Sequence, residues 1–232
     1  KLYESYDRLV AVASSVRKVF VDALPMIHTP IDVLYNTNET EKIVALSKED
    51  LNDPMFLESG VRICSVAKLV APKGYDRLLN VHKRLLDEGF PHIIYLIGIG
   101  ENQRKLEAQA RVLGVESSFH MIGFRDNPYQ YVSRCDLYVC SSRREGFSTA
   151  VTEALIVGTP VVSTDCSGAR ELLGEHNEYG LVVENSEEGI YQGMKKMLSD
   201  PALLAHYRQQ AVLRGKRFSR EKTVQAVERM LD

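Results

Sequence analysis

Short apolar runs rich in β-branched residues alternate with segments of helical periodicity from about residue 60 onward, and this alternation limits the folds open to the chain. The runs predicted as strands are 61–66, 93–98, 118–123, 136–141, 160–164 and 180–183. Segments with helical spacing lie between them, for example 76–88, 101–113 and 149–157. Strand–helix alternation of this kind builds a parallel sheet covered by helices on both faces. We therefore predict an α/β fold with a doubly wound, Rossmann-like parallel sheet, whose ligands lie at the carboxyl ends of the strands.

The first 60 residues have a different pattern. Residues 8–14 and 31–36 resemble two further strands joined by a short helical stretch, while 37–60 is polar and resembles a linker. A complete second domain needs more residues, because domains rarely fall below about 50. The predicted organisation is part of another domain (1–36), a linker (37–60), a ligand-binding domain (61–217) and a C-terminal helix (218–232).

Composition and charge narrow the class of protein. The 232 residues are 44% hydrophobic and 26% charged, which is typical of a globular protein with a core. The net charge of −2 argues against a nucleic-acid binder, since such proteins carry a basic excess. No apolar run approaches the roughly 18 residues of a membrane-spanning helix, and the first residues lack the apolar stretch of a signal peptide. The four cysteines lack C-x-x-C spacing, so we expect thiols in a reducing cytoplasm.

Two glutamates lie eight residues apart where a predicted strand gives way to a helix. Glu145 follows the strand 136–141, and Glu153 lies inside the helix. The amides and dipole at such a helix start favour a diphosphate, and Gly146 lets the backbone approach a ligand closely. Ser148 or Thr149 can cap the helix or bind phosphate. Acids near a helix start are also favoured by the dipole alone, so the spacing by itself leaves a binding role and a surface role equally open.

Two lysines follow the first strand of the main sheet. Lys68 and Lys73 occupy the loop after residue 66, together with Pro72 and Gly74. Two ammonium groups beside a strand terminus suit a pyrophosphate, whose developing charge must be stabilised when a bound group leaves. Taken alone, the pattern favours two solvated loop lysines.

A glycine-rich turn lies at the end of the predicted strand 93–98. Gly98 and Gly100 are present, but Gln103 stands where a dinucleotide-binding motif has its third glycine. The incomplete motif makes a dehydrogenase the least favoured class. A glycine-rich turn close to a bound nucleotide explains the segment equally well.

The predicted strand 118–123 ends at Gly123, and Phe124 and Arg125 follow it. Backbone groups at this strand end could pair with the edge of a nucleobase, and Arg125 could flank it. Phe124 could equally belong to the core.

Several catalytic and metal-binding patterns are absent from the sequence. It contains no D-x-D motif, no G-x-S-x-G and no P-loop. The six histidines are scattered without zinc-like spacing. We therefore expect neither a metal ion nor a cofactor.

Taken together, these segments resemble the retaining glycosyltransferases of group 1, also called family 4, which have the GT-B architecture. The E-x7-E motif of that family matches Glu145 and Glu153, and its basic pair matches Lys68 and Lys73. Lys68 replaces a common arginine, which keeps the charge and loses the bidentate geometry. Further similar strings are GFRDNPYQY, DLYVCSSRREGFSTAVTEAL, GTPVVSTDCSGARELL and YGLVVEN. The resemblance runs from about residue 8 to the end.

The resemblance implies a metal-independent transfer of a hexosyl group from a UDP- or GDP-type sugar, with retention of anomeric configuration. Glu145, Lys73 and Lys68 would be catalytic, with Glu145 orienting the donor sugar and the lysines holding the leaving diphosphate. The residues implied in donor binding, with Glu153 on the ribose, are Gly98, Gly100, Phe124, Arg125, Gly146, Phe147, Ser148, Thr149 and Glu153.

The resemblance also implies the partners of the chain. Residues 1–36 would be the last part of an acceptor domain, whose glycan or lipid-linked acceptor site lies outside this chain. We therefore expect no sugar transfer by the chain alone. A role in surface polysaccharide synthesis, cytoplasmic or peripheral at the inner face of the plasma membrane, is expected. A GT-B epimerase, a phosphorylase and a nucleotide-sugar-binding module without catalysis are the alternatives.

Overall fold

The computed structural model of the chain describes residues 3–36, 38–56 and 60–231. The N-terminal part contains two short parallel strands, β1 (Leu9–Ala11) and β2 (Ile31–Val33), joined by helix α1 (Ser14–Ala23). Both predicted strands and the helical stretch between them are confirmed, with shorter strands than predicted.

The six predicted strands of the main sheet are all present. Their bounds are β3 (Val61–Val66), β4 (His92–Ile97), β5 (Phe119–Gly123), β6 (Leu137–Cys140), β7 (Val161–Thr164) and β8 (Leu181–Val183). Every neighbouring pair is parallel, in the order β5-β4-β3-β6-β7-β8. The chain builds outward from β3 to β5, returns to the other side of β3 and builds outward again. The strand order therefore reverses between β3 and β6, where doubly wound sheets bind their ligands.

Helices cover both faces of this sheet. Those that bury side chains against the sheet are α3 (Tyr75–Asp87), α4 (Gln103–Leu113), α5 (Tyr129–Val132), α6 (Thr149–Ile156), α7 (Ala169–Leu173), α8 (Glu187–Ser199) and α9 (Pro201–Gly215). Helix α2 (Thr40–Ser47) packs on α5 and α6, and α10 (Arg220–Leu231) follows α9. Across the described ranges, no helix is long and apolar enough to cross a membrane.

Successive side chains of each strand point to opposite faces of the sheet and pack in two separate hydrophobic cores. On one face, Ile63, Leu96 and Leu137 pack with residues of α3, α4 and α8. On the other face, Cys64 and Tyr138 pack with residues of α5, α6, α7 and α9. Burial on both faces explains why the strands are continuous apolar runs without polar alternation.

The segment 37–60 differs from the linker predicted for it. It contains α2 and a 3₁₀ turn at Pro54–Phe56, and both are packed on the main domain. Ile43 is 5% exposed and Phe56 is 3% exposed, with the Phe56 ring 4.6 Å from that of Tyr95. The described part of this segment therefore belongs to the packed structure, although few apolar residues anchor it.

The C-terminal helix predicted over 218–232 is present as α10, and α9 precedes it. Arg214, near the end of α9, is engaged within the protein. The Arg214 guanidinium donates hydrogen bonds to the carbonyl oxygens of Glu171 and Leu172. It also lies 5.0 Å from the ring centre of Tyr179. Burial lowers the pKa of Arg214, and repulsion from Arg217 lowers it further. Arg214 thus ties α9 to α7.

Candidate functional site

The loops that follow β3 and β6 meet at the point where the strand order reverses. The Ser141 hydroxyl donates a hydrogen bond of 2.8 Å to the carbonyl oxygen of Lys73, and the Arg143 amide donates one of 2.7 Å to Pro72. Gly74 has a φ of +67°, and a Cβ there would overlap the carbonyl oxygen of Ser141. These bonds hold the two loops together, and residues of both, including Pro72 and Arg143, line one crevice.

A lysine–glutamate ion pair spans these two loops. Lys73 Nζ lies 2.5 Å from Glu145 Oε1, and the side chains are 25% and 14% exposed. The Ser142 hydroxyl donates to the same carboxylate oxygen at 2.7 Å. The sequence predicted both charged residues but not their contact, and it did not single out Ser142. The pair provides a cation and an anion, both largely buried, at the switch point of the sheet.

A second network at the carboxyl edge of the sheet connects α3 with the loops after β6, β7 and β8. Arg77 donates to the carbonyl oxygen of Ser141 at 2.7 Å and to Asn185 Oδ1 at 3.0 Å. Asn185 in turn donates to the carbonyl oxygen of Arg143. Cys166 donates to the carbonyl oxygen of Ser142 at 3.0 Å. These bonds restrain the loop that carries Glu145, and no sequence motif pointed to them.

Lys68 is exposed on the loop after β3, and the predicted glycine turn packs against that loop. Gly98 has a φ of +144°, and a Cβ there would overlap the carbonyl oxygen of Ala67. A Cβ on Gly100 would overlap the backbone of Leu69. The glycines thus allow a close approach between two backbones and hold the segment that carries Lys68.

The start of α6 follows Glu145 directly, as predicted. The Ser148 hydroxyl accepts a hydrogen bond from the Val151 amide and caps the helix. Gly146 is open, since a Cβ there would meet no atom within 4 Å. Phe147 is 8% exposed and stacks on Tyr35 with ring centres 4.9 Å apart. Phe147 is therefore a packing residue of the loop, whereas Gly146 faces open space.

The N-terminal part of the chain contacts this loop through Tyr35 and Asn36. Asn36 Nδ2 lies 3.5 Å from the Thr149 hydroxyl. The Tyr35 hydroxyl donates to Glu171, which also accepts the amides of Ser14 and Ser15 at 2.8 and 2.9 Å. Burial opposes ionisation of Glu171, but these hydrogen bonds outweigh it and lower its pKa. Glu171, on α7, therefore caps the N-terminus of α1.

The two residues predicted to contact a nucleobase have different environments. Phe124 is 63% exposed and available to a ligand. Arg125 is instead engaged within the protein, with its guanidinium 3.2 Å from Asp53 and 2.9 Å from the Tyr131 hydroxyl. Tyr131 also donates to Asp53 at 2.9 Å. Asp53 comes from the segment predicted as a linker, so the sequence did not reveal this cluster.

The Glu153 side chain is partly buried in the second turn of α6. The Tyr129 hydroxyl donates a hydrogen bond of 3.1 Å to its Oε1. Burial raises the pKa of Glu153, while the Tyr129 hydrogen bond acts in the opposite direction. A carboxylate in this position can accept hydrogen bonds from hydroxyl groups, as predicted for a ribose. Within the described parts of the chain, no group of three or more His, Cys, Asp and Glu side chains is arranged to hold a metal ion.

The fold and this crevice define a doubly wound α/β domain with a basic residue, a carboxylate and a capped helix start at its switch point. Residues 48–214 match the profile of the family "Glycosyl transferases group 1". The chain belongs to this family of glycosyltransferases.

Curated relatives extend well beyond the matched region. A Campylobacter jejuni enzyme is 35% identical over 197 residues, covering 82% of this chain and 50% of that protein. It is described as N-acetylgalactosamine-N,N'-diacetylbacillosaminyl-diphospho-undecaprenol 4-alpha-N-acetylgalactosaminyltransferase. The lipopolysaccharide core biosynthesis glycosyltransferase LpsE of Rhizobium meliloti is 28% identical and covers 75% of this chain and 49% of that protein. The chain therefore spans about half the length of these relatives.

Solved structures with the same fold include Anabaena Alr3699/HepE in complex with UDP. That structure superposes with a TM-score of 0.82 at 21% identity, covering 97% of this chain and 63% of the other. WaaG, a glycosyltransferase involved in lipopolysaccharide biosynthesis, superposes with a TM-score of 0.78 at 19% identity, covering 94% and 61%. The fold is thus that of the GT-B glycosyltransferases.

Proposed function

We propose that this chain binds a nucleoside-diphosphate sugar and provides the donor side of a retaining, metal-independent hexosyl transfer. The observation that carries the proposal is the Lys73–Glu145 pair at the switch point of the sheet. Lys73 would turn from Glu145 to the diphosphate when the donor binds, and Lys68 would add a second positive charge. The open amides around Gly146 and Ser148 would contact the same group.

In the proposed reaction, the bond between the anomeric carbon and the diphosphate oxygen breaks while an acceptor hydroxyl forms the new bond on the same face of the sugar. The hydroxyl proton passes to a donor phosphate oxygen. The positive charge of Lys73 and Lys68 favours departure of the diphosphate, because it stabilises charge that develops in the transition state. Glu145, freed from its ion pair, would hold the sugar hydroxyls, and Glu153 would hold the ribose.

The proposed acceptor is lipid-linked or part of a surface polysaccharide. One relative is named for a diphospho-undecaprenol-linked acceptor and another for lipopolysaccharide core biosynthesis, which supports this choice. We also propose that the reaction is cytoplasmic, at the inner face of the membrane. The matched relatives are about twice as long as this chain. We therefore place much of the acceptor site outside it and expect no multiple-turnover transfer by this chain alone. UDP is the favoured nucleotide, since the Anabaena neighbour is described in complex with it.

The first test is ligand stabilisation in EDTA. UDP, GDP and ADP are titrated separately, and the melting temperature and the free energy of unfolding are measured. At one hundred times the dissociation constant, the bound nucleotide should add about 2.7 kcal/mol to the free energy of unfolding. No stabilisation by any of the three in EDTA, together with a clear shift after adding magnesium, would contradict the metal-independent site.

Lys73→Ala should weaken the binding of the nucleoside diphosphate by roughly 1.5–3 kcal/mol, the contribution of a hydrogen bond to a charged group. Calorimetric titration measures this loss, and Lys83→Ala, which removes an ammonium from the solvent side of α3, is the matched control. Lys73→Arg should retain part of the affinity because it keeps the charge. Unchanged affinity in Lys73→Ala would show that Lys73 only neutralises Glu145.

A nucleotide-sugar-binding module without catalysis is the second candidate, because the ion pair neutralises both proposed catalytic groups in this structure. A GT-B epimerase would use the same diphosphate site without an acceptor. Incubation of the complete protein with UDP-sugars and candidate acceptors separates the three. Formation of a glycoside supports the transferase, conversion of the free donor supports the epimerase, and binding without either reaction supports the module.

A further inference from the structure

The short helix α5 lies beside the proposed ribose site. The described part of segment 37–60, which was predicted as a linker, holds this helix in place. Three residues around α5 donate hydrogen bonds to the C-terminal end of α2. Asn127 Nδ2 donates to the Leu46 carbonyl oxygen at 2.9 Å, and the Ser133 hydroxyl donates to that of Ser47 at 3.0 Å. Arg134 donates to the Glu49 carbonyl oxygen at 2.8 Å.

These bonds matter because α5 has only four residues, Tyr129–Val132. A single helical turn has little stability of its own, since nucleation is costly and few internal hydrogen bonds offset it. Its orientation therefore depends on the contacts with α2 on one side and on the burial of Tyr131 and Val132 on the other. The side chain that this clamped turn presents to α6 is Tyr129.

The Tyr129 hydroxyl is hydrogen-bonded to the carboxylate of Glu153, and among the described residues no hydrogen bond joins it to another carboxylate. Its hydroxyl is 3.1 Å from Oε1, which occupies one side of the carboxylate. Burial raises the pKa of the Tyr129 hydroxyl to about 12, so it remains a neutral donor at physiological pH. A fixed donor on Oε1 limits rotation of the carboxylate and leaves Oε2 to accept from a ligand.

From this geometry we infer that Tyr129 is a positioning residue: it orients Glu153 for the ribose hydroxyls of the donor nucleotide. The inference rests on the proposed function, because it presumes a nucleotide bound over α6. It assigns the recognition of ribose to Tyr129 and Glu153 together. Helix α2 contributes indirectly, because it holds α5, which carries Tyr129. Loss of the hydroxyl should therefore reduce discrimination between nucleotides with and without ribose hydroxyls.

The test compares UDP with 2′,3′-dideoxy-UDP, which lacks both ribose hydroxyls, by calorimetric titration of the 232-residue chain. The wild type should prefer UDP by one to two orders of magnitude, since each hydrogen bond to a charged group contributes about tenfold or more. Tyr129→Phe should bind UDP about tenfold more weakly and 2′,3′-dideoxy-UDP almost as well as the wild type. Tyr131→Phe is the control, because it removes from the same helix a hydroxyl that donates to Asp53. This variant should keep the wild-type preference for UDP over 2′,3′-dideoxy-UDP.

The outcomes separate the two proposals. If the wild type prefers UDP and Tyr129→Phe keeps the same preference, the positioning role is wrong while the ribose site stands. If Tyr129→Phe weakens both nucleotides equally, the hydroxyl contributes only to structure, and the inference is again overturned. If the wild type binds neither nucleotide, or binds both equally, the proposed ribose contact of Glu153 fails and the inference fails with it.

Discussion

Lowering the pH from 7 to 5 should reduce the free energy of unfolding of this chain by about 2 kcal/mol, because a buried histidine stays neutral in the fold. His82 on α3 and His92 at the start of β4 form a hydrogen-bonded chain with Ser118 and the Phe90 carbonyl oxygen, each link 2.8 Å long. The carbonyl can only accept, so Nδ1 of His92 donates to it, and Nε2 of a neutral His92 accepts from His82. The remaining nitrogen of His82 accepts from the Ser118 hydroxyl. Every position in this chain is filled when both rings are neutral.

The sign of the effect follows from the pKa of His82. Burial, with repulsion from His92 and His120, lowers it from 6.5 to about 3. Below about pH 6.5 the unfolded chain therefore binds a proton that the folded chain does not, and each pH unit costs about 1.4 kcal/mol. The stabilisation is complete above pH 6.5 and would be fully lost near pH 3, an effect of about 4–5 kcal/mol. Burial also lowers the pKa of His92, so this second histidine acts in the same direction between pH 7 and 5. The carboxyl groups with lowered pKa values titrate below that range.

Denaturant unfolding at pH 7, 6 and 5 measures this dependence. His82→Gln should reduce the slope of the free energy of unfolding against pH, even if the variant is less stable at pH 7. The slope reports the protons bound on unfolding, whereas the stability at pH 7 reports the packing. His206→Gln removes an exposed imidazole from α9 and should retain the wild-type slope. Glu153 acts in the opposite direction, since burial raises its pKa and its protonation favours the folded state. A wild-type slope in His82→Gln would show that the pH dependence does not come from His82.

The main sheet could be predicted from the sequence because its strands are buried on both faces. Continuous apolar runs such as 61–66 and 136–141 mark the strands, and the alternation with helices implies parallel pairing. The same reasoning brings the loops after β3 and β6 to one edge, and the predicted Lys73 and Glu145 indeed meet there. Their direct pairing could not be predicted, since it depends on loop conformations 72 residues apart.

Other parts of the site depend on contacts that leave no periodic signal. The segment 37–60 is polar, and its packing rests on a few residues such as Ile43 and Phe56. Asp53, which engages Arg125, lies in that segment, and the base-flanking role predicted for Arg125 did not anticipate it. Tyr129 and the His82–His92 chain likewise depend on elements that are adjacent only in the folded protein.

Gly98→Ala should lower the free energy of unfolding by about 3–5 kcal/mol, which would identify this glycine as a structural support of the site. Two costs combine there. The φ of +144° is a backbone conformation that a residue with a side chain rarely adopts, and the added Cβ would overlap the carbonyl oxygen of Ala67. Neither backbone can easily retreat, because the Ala67 amide donates to Ile97 and the Gly98 amide donates to Gly123 in the same sheet.

Gly114→Ala is the matched control, since Gly114 also has a positive φ, +67°, but a Cβ there meets nothing within 4 Å. It should cost only about 1 kcal/mol, the strain of the backbone without the overlap. Because the loop that Gly98 contacts carries Lys68, Gly98→Ala should also weaken UDP binding, whereas Gly114→Ala should not. Denaturant unfolding and UDP titration of both variants distinguish the possible roles. Equal stability of the two variants would rule out the close backbone approach, and a loss of UDP affinity in Gly98→Ala without a loss of stability would instead place Gly98 in direct contact with the nucleotide.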